Sequence, residues 1–253
     1  MEQNFDGSDM TITIIGIDCA VDQKNVGVAI GSYSDGICNL LPLPSRAQTC
    51  SVSELICSNI NRSTKALLAL DAPLGWPAAM GNTLSNHVAG TGIETASNLL
   101  FRRATDRFVK THFGKQPLDV GADRIARTAK AGLDLLDQIR GQTALPIPLV
   151  WRPVFTERVG AIEVYPAGTL ISYGLPSSGY KKKDQIELRK QILGGLKRHI
   201  DLGVDLESAE MNADVLDAIV CVLAGADFLR EQADSPGDPD QAIKEGWIWI
   251  KRK

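Results

Sequence analysis

Residues 12–18 read Ile-Thr-Ile-Ile-Gly-Ile-Asp, an apolar and β-branched run that ends on a carboxylate, Asp18. A continuous run of this length and composition fits a buried strand. A polar turn over residues 22–25 leads into a second β-branched stretch, Val-Gly-Val-Ala-Ile-Gly-Ser-Tyr (26–33), at a spacing that suits an antiparallel hairpin. A further turn at Asp35 and Gly36 permits a third strand over 37–43, which Pro42 and Pro44 end. Residues 52–60 then place Val52, Leu55, Ile56 and Ile60 at helical spacing, and 66–72, Ala-Leu-Leu-Ala-Leu-Asp-Ala, return as a buried strand carrying Asp71. The order is strand, strand, strand, helix, strand, which marks an α/β protein.

Outward from that start, residues 72–160 read as a mainly helical insertion after the fourth strand. Pro73, Gly75 and Pro77 break the chain, 94–111 and 121–140 have helical patterns, and Pro146, Pro148 and Pro153 close the segment. A strand over 161–165 carries Glu163 and stops at Pro166 and Gly168. A basic helix is expected from about 184 to 200. A last long helix is expected from near 212 to 230, with Leu216, Ile219, Val220, Leu223 and Ala226 on one face. Residues 10–231 are thus expected to form one domain. The Pro- and Gly-rich 234–240 then reads as linker, and Gly-Trp-Ile-Trp-Ile-Lys (246–251) as a short C-terminal strand.

The chain has 253 residues, 44% of them apolar and 23% charged, which is the composition of a soluble globular protein and not of a disordered, fibrous or membrane-spanning one. Its apolar runs are too short for a membrane span. Five cysteines, Cys19, Cys38, Cys50, Cys57 and Cys221, form an odd set with no Cys-x-x-Cys pair, and the first ten residues are acidic without a signal-like apolar core. Together these point to reduced thiols in a cytoplasmic protein. The formal charge of −3 argues against a generally basic nucleic-acid coat, yet its distribution is uneven. Residues 72–160 carry a net +4 and 180–200 a net +5, so two basic segments accompany an acidic remainder.

Four acidic residues stand inside or at the ends of apolar elements: Asp18, Asp71, Glu163 and Asp217. Two carboxylates about 4 Å apart repel by roughly 4 kcal/mol at an effective dielectric near 20, so gathering them requires something positive among them. A divalent metal is the simplest candidate. Asp214 and Asp217 lie three apart on the last helix, so that both can point the same way. With Asp18 and Asp71 they would form an all-oxygen set suited to Mg²⁺ or Mn²⁺. Zinc is disfavoured, because His87, His112, His199 and the cysteines show no ligand spacing.

The segments Gly-Ile-Asp-Cys-Ala (16–20), Leu-Asp-Ala-Pro-Leu-Gly-Trp (70–76), Phe-Arg-Arg-Ala-Thr-Asp-Arg (101–107), Ile-Glu-Val-Tyr-Pro-Ala (162–167), Tyr-Lys-Lys-Lys-Asp (180–184) and Asp-Val-Leu-Asp-Ala-Ile-Val-Cys-Val-Leu-Ala (214–224) occur in that order. Taken together they resemble the domain-of-unknown-function family numbered 429, predicted nucleases of the ribonuclease H-like superfamily. The resemblance covers roughly residues 12–230. The first and last segments are also similar to those of Holliday junction resolvases.

The resemblance implies a ribonuclease H-like fold: a mixed five-stranded sheet, its first three strands antiparallel, flanked by helices. It further implies hydrolysis of a phosphodiester with two metals about 3.5–4 Å apart. Asp18, Asp71, Asp214 and Asp217 would be the metal ligands, with Asp18 bridging, and Glu163 would join Asp18, Asp71 and Asp217 in the catalytic set. Arg103 and Asp106 would hold a phosphate or an insertion hinge, and Lys181 would stabilise charge on the transferring phosphoryl group. A homodimer would suit a symmetric junction substrate.

Plainer readings stand beside these. Asp18 and Asp71 can be turn formers, and Asp214 the N-cap of the last helix. Glu163 can be the partner of an insertion arginine. Lys181, Lys182, Lys183, Arg189 and Lys190 can be a solvated helix surface, and Trp247 and Trp249 can pack a terminal strand. Two other functions also remain open: an actin-like ATP-dependent phosphotransferase, which begins with a similar strand and hairpin, and a non-catalytic module that binds nucleic acid or a nucleotide.

Overall fold

The computed structural model describes residues 11–44 and 50–253; the acidic start over residues 1–10 lies outside the described residues. Strands β1 (Ile12–Asp18), β2 (Gly27–Ser34) and β3 (Ile37–Leu40) form an antiparallel meander. The β2–β3 turn has both Asp35 and Gly36 at positive φ, 52° and 79°, which matches the right-handed twist of the flanking strands. Helix α1 (Val52–Arg62) follows, opened by a reciprocal cap between Ser51 and Glu54. Strand β4 (Lys65–Asp71) then pairs parallel to β1.

Between β4 and the next strand, β5 (Val159–Val164), run four helices: α2 (Ala78–Leu84), α3 (Ser97–Leu100), α4 (Ala104–Phe113) and α5 (Ile125–Thr143). The single helix expected over 94–111 is two, because Arg103 adopts an extended conformation (φ −72°, ψ 166°) and its N–H donates to the Asp106 carboxylate at 2.9 Å. The long α5 is the crossover helix of a β-α-β unit: Leu135, Leu136 and Ile139 pack with α1 on one face of the sheet. Beyond β5 come α6 (Pro166–Ser172), α7 (Ile186–Leu196), α8 (Glu207–Met211) and α9 (Ala213–Leu229). The short α6, α8 and α10 (Pro239–Glu245) were not distinguished in the sequence, being one or two turns each.

Among the described residues the sheet has six strands, not the expected five, in the order β3-β2-β1-β4-β5-β6. The sixth, β6 (Ile248–Trp249), is the expected C-terminal strand. It belongs to the main sheet because the chain turns back through α10, capped by Asp238 with Pro239 in its first turn, and pairs parallel with Glu163 and Val164. Trp247 and Trp249 are buried, and Trp249 meets Phe228 of α9 edge to face. They pack the terminal strand.

Side-chain alternation assigns the two faces. Ile14, Leu67, Ala69, Ile162 and Val164 lie in the core under α9, whereas Ile15, Ile17, Leu68, Leu70 and Ala161 lie in the core under α1 and α5. Helix α9 is apolar nearly all round and is buried along its length. It presses so close to the sheet that a Cβ on Gly16 would stand 2.1 Å from the Ala218 carbonyl oxygen, and one on Gly27 1.9 Å from that of Asp214. Glycine at these two positions therefore sets the height of α9, and with it the position of every side chain it aims at the strand ends. Among the described residues no helix is long and apolar enough to cross a membrane, and all five cysteines are unpaired.

Candidate functional site

Asp18 and Asp71 end two neighbouring parallel strands and are direct partners in the register. Each is two or four residues on from core positions of the α9 face, Ile14 on β1 and Ala69 on β4, so both carboxylates project on that side. Helix α9 brings Asp217, fully buried, to the same place. The α9 backbone leans on Gly16 and Gly27, the β2 partner of Asp18. Asp214 lies one turn earlier and is half-buried. Its N–H donates to Asn212 Oδ1 at 2.8 Å, so the N-cap of the helix is Asn212 and the Asp214 carboxylate is free of that duty.

The positive charge required among the aspartates is supplied in this structure by Lys181. Its Nζ lies 2.5 Å from Asp217 Oδ2, although the Lys181 side chain is 57% exposed. Tyr180, next to it, donates its hydroxyl to Asp217 Oδ1 at 2.7 Å. Asp217 Oδ2 has the ammonium charge beside it but no well-directed hydrogen bond. Tyr180 was not picked out from the sequence as a site residue, though it opens the Tyr-Lys-Lys-Lys-Asp segment.

The loop that presents both residues is pinned by Arg189 of α7, which is 1% exposed. Its Nη1 donates to the carbonyls of Tyr180 (2.6 Å) and Lys182 (2.9 Å), and its Nε to that of Glu210 (2.6 Å). Arg189 is thus no part of a solvated surface, while Lys190, paired with Glu187 at 3.0 Å, is.

The electrostatics follow from three carboxylates sharing one ammonium. Burial, then the charges of Asp71 and Asp217, push Asp18 well above the ordinary carboxylate range, against the pull of Lys181. Asp71 is pushed up to about 7, chiefly by burial, with Asp217 and Glu163 adding and Lys181 opposing. Asp217 is also raised by burial, against Lys181 and the Tyr180 hydrogen bond. Burial works against the Lys181 ammonium, but Asp217, Asp18 and Asp71 outweigh it and hold the proton on. Tyr180 is raised by burial and by the Asp217 charge, so it remains a donor.

Glu163 goes elsewhere. Its register partner is Leu70, a residue of the opposite core, so strand alternation points it away from α9. There Arg103 grips it with two parallel bonds, Nη1 to Oε2 at 2.8 Å and Nη2 to Oε1 at 2.7 Å, and Leu74 N–H adds a third at 2.9 Å. Arg103 also holds both oxygens of Asp106, at 3.2 and 2.9 Å, and the Glu245 carbonyl at 3.2 Å. Burial disfavours the guanidinium charge, but Glu163 and Asp106 more than offset this and raise its pKa. The Glu245 carboxylate caps the system, accepting from Ala78 N–H (2.8 Å) and Ala104 N–H (2.7 Å).

Arg103, Asp106 and Glu163, singled out in the sequence for substrate binding and catalysis, are therefore each other's partners. They tie the segment between β4 and β5 to the strand ends and to α10. Glu245 carried no signal of this, since its partners lie about 140 and 170 residues away in the chain.

Two clefts open on the aspartates, and Asp71, Tyr165 and Lys181 line both. One, of about 210 Å³, is walled mainly by carbon, from Ala72, Pro73, Pro117, Leu118 and Ile125. The other, of about 330 Å³, is lined by Lys115, Ser177, Ser178, Gly179 and Tyr180 and reaches Asp217. Among the described residues no group of three or more His, Cys, Asp or Glu side chains is placed to hold a metal ion. The donor chemistry suits a hard dication, but Lys181 stands among the donors.

No curated protein and no solved structure matches this chain. A family model does: the one described as "Protein of unknown function (DUF429)" matches residues 16–242, a stretch that includes both strand-end aspartates, Arg103 with Asp106 and Glu163, the Lys181 loop and all of α9, and the chain therefore belongs to that family.

Proposed function

We propose that the chain is a metal-dependent phosphodiesterase of the nuclease type on a ribonuclease H-like fold. In this reading Asp18, Asp71 and Asp217 hold Mg²⁺ or Mn²⁺, with Asp214 at the rim, and the substrate is a nucleic acid or a nucleotide. One observation carries it: carboxylates from β1, β4 and α9 are gathered, largely out of water, around a single ammonium. Fully ionised, they leave two negative charges unbalanced, a costly arrangement that a hard cation relieves. An antiparallel meander followed by two parallel strands supports the fold assignment, with β6 added at the edge.

When bound, the ion would supply Lewis-acid stabilisation of charge on phosphoryl oxygens. Tyr180 holds Asp217 Oδ1 in one orientation, so that Oδ2 is the oxygen left to coordinate. Lys181, with an exposed side chain on an anchored loop, balances the aspartates and is free to turn to the substrate phosphate. Glu163 and Arg103 take a structural part, because their hydrogen-bonding capacity is spent on each other. The unpaired thiols suit a cytoplasmic setting.

The test is thermal melting with Mn²⁺ or Mg²⁺. At about 100 times the dissociation constant, binding to the folded state alone adds about 2.7 kcal/mol. The melting temperature is expected to rise in millimolar Mn²⁺, and Asp18→Asn to remove the rise while the metal-free protein stays folded. Absence of any response in the unaltered protein sinks the reading.

A further inference from the structure

The two clefts are both lined mostly by carbon but differ in the polar residues they add, and the difference bears on what ligand the site takes. The narrower one is lined mostly by carbon, from Ala72, Pro73, Pro117, Leu118 and Ile125. Apart from Asp71, Tyr165 and Lys181, which it shares with the wider cleft, its polar side chains are Arg103, Asp106 and Glu163, and these are already bonded to one another. Such a cleft accepts a compact ring without demanding a specific one.

The wider cleft is walled by carbon to a similar degree, with Tyr165, Pro166 and Ala167 in its lining, but it adds polar residues that are not bonded to one another. These, Lys115, Ser177 and Ser178, line it with the tight turn at Gly179, whose φ of 85° only glycine adopts freely. Those are groups that bind phosphate or sugar oxygens. Asp71, Tyr165 and Lys181 stand where the two meet, with Asp217 beside them. At about 210 and 330 Å³ the one lies below the usual range for ligand sites and the other at its small end. A nucleic-acid duplex, whose major groove alone is about 12 Å wide, is too broad to enter either.

Resting on the hydrolase reading for its reacting centre, we propose that the ligand is a free nucleotide and not the interior of a duplex. Its ring enters the carbon-walled cleft, one phosphate lies over Asp71 and Lys181, and further phosphate or hydroxyl groups face Lys115, Ser177 and Ser178. The lack of free polar groups around the ring makes the site tolerant of base identity and selective for the presence of a base.

Isothermal titration of the whole chain with a nucleoside 5′-diphosphate, with inorganic phosphate and with a 20-base-pair duplex tests this, each with and without Mn²⁺. Leu118→Trp and Ile125→Trp fill the ring cleft from two sides, and melting curves check that both variants fold. The nucleotide is expected to bind more tightly than inorganic phosphate, and at least one folded variant to weaken it about tenfold or more while leaving inorganic phosphate unchanged. The duplex is expected not to displace the nucleotide. Equal binding of nucleotide and phosphate, displacement by duplex, or indifference of both folded variants overturns the proposal. A melting response to Mn²⁺ with no nucleotide binding likewise overturns it, while leaving the hydrolase reading in place. Nucleotide binding with the expected variant effects but no Mn²⁺ response supports the ligand class and removes the hydrolase reading.

Discussion

Replacing Asp71 with asparagine is expected to stabilise the metal-free protein at alkaline pH, an unusual outcome for a polar residue at a candidate active site. Asp71 titrates near 7 in the folded chain against 3.8 for an ordinary carboxyl, so the folded protein holds its proton more firmly than the unfolded chain. The sign follows. Near pH 4 the two states differ little. As pH rises from 4 to 7 the unfolded chain ionises while the folded one resists, so stability falls across that window and stays low above it.

The full gap corresponds to about 4 kcal/mol, and partial exposure of Asp71 with solvent screening reduces this to about 2 kcal/mol. Asparagine copies the shape of the protonated acid and lacks the charge. It also removes the largest charge effect acting on Asp18. At pH 8 Asp71→Asn should therefore melt roughly 4–8 °C higher than the unaltered protein, and the advantage should vanish near pH 4. Melting followed by circular dichroism across pH 4–8 in a chelator reads it directly. A loss of stability at pH 8, or a gain that does not change with pH, refutes the claim that burying the Asp71 charge at this site costs stability.

Glu163→Gln is expected to cost about 3–5 kcal/mol in urea unfolding, because it leaves the buried Arg103 guanidinium short of a charge, and to leave the Mn²⁺ response of the folded fraction unchanged. Intact stability with a lost metal response would instead move Glu163 into the site. Arg189→Ala deprives several buried carbonyls of their donor, and a loss of at least about 3 kcal/mol in the same assay is expected. Unchanged stability would return Arg189 to the solvated surface.

The convergence of Asp18 and Asp71 was legible because each ends an apolar run, and two such runs in a parallel sheet align their ends. Asp217 was legible because it interrupts an apolar helix. The last helix, expected over 212–230, is found over Ala213–Leu229, since its caps and its composition agree. The role of Glu163 was harder. It sits on an adjacent strand end, but one residue of register decides which face it takes, and the pattern of β5, buried throughout, does not reveal the face.

The Arg103 clamp was legible only in half. Arg103 and Asp106 are neighbours in sequence, whereas Glu163 and Glu245 reach them through the fold. Arg189 was hidden for a different reason: a guanidinium satisfied entirely by backbone carbonyls leaves no partner side chain to suggest that it is buried. The sixth strand needed the chain to double back over α10, and nothing local in Gly-Trp-Ile-Trp specifies its neighbour.

Diffraction from a crystal of the protein soaked in Mn²⁺, recorded with anomalous scattering at the manganese edge, tests the assembled site most directly. The account predicts an anomalous peak at the ends of β1 and β4, within bonding distance of Asp18, Asp71 and Asp217, with Lys181 Nζ moved off Asp217 Oδ2. A map with no peak there, and Lys181 still seated on Asp217, would contradict it.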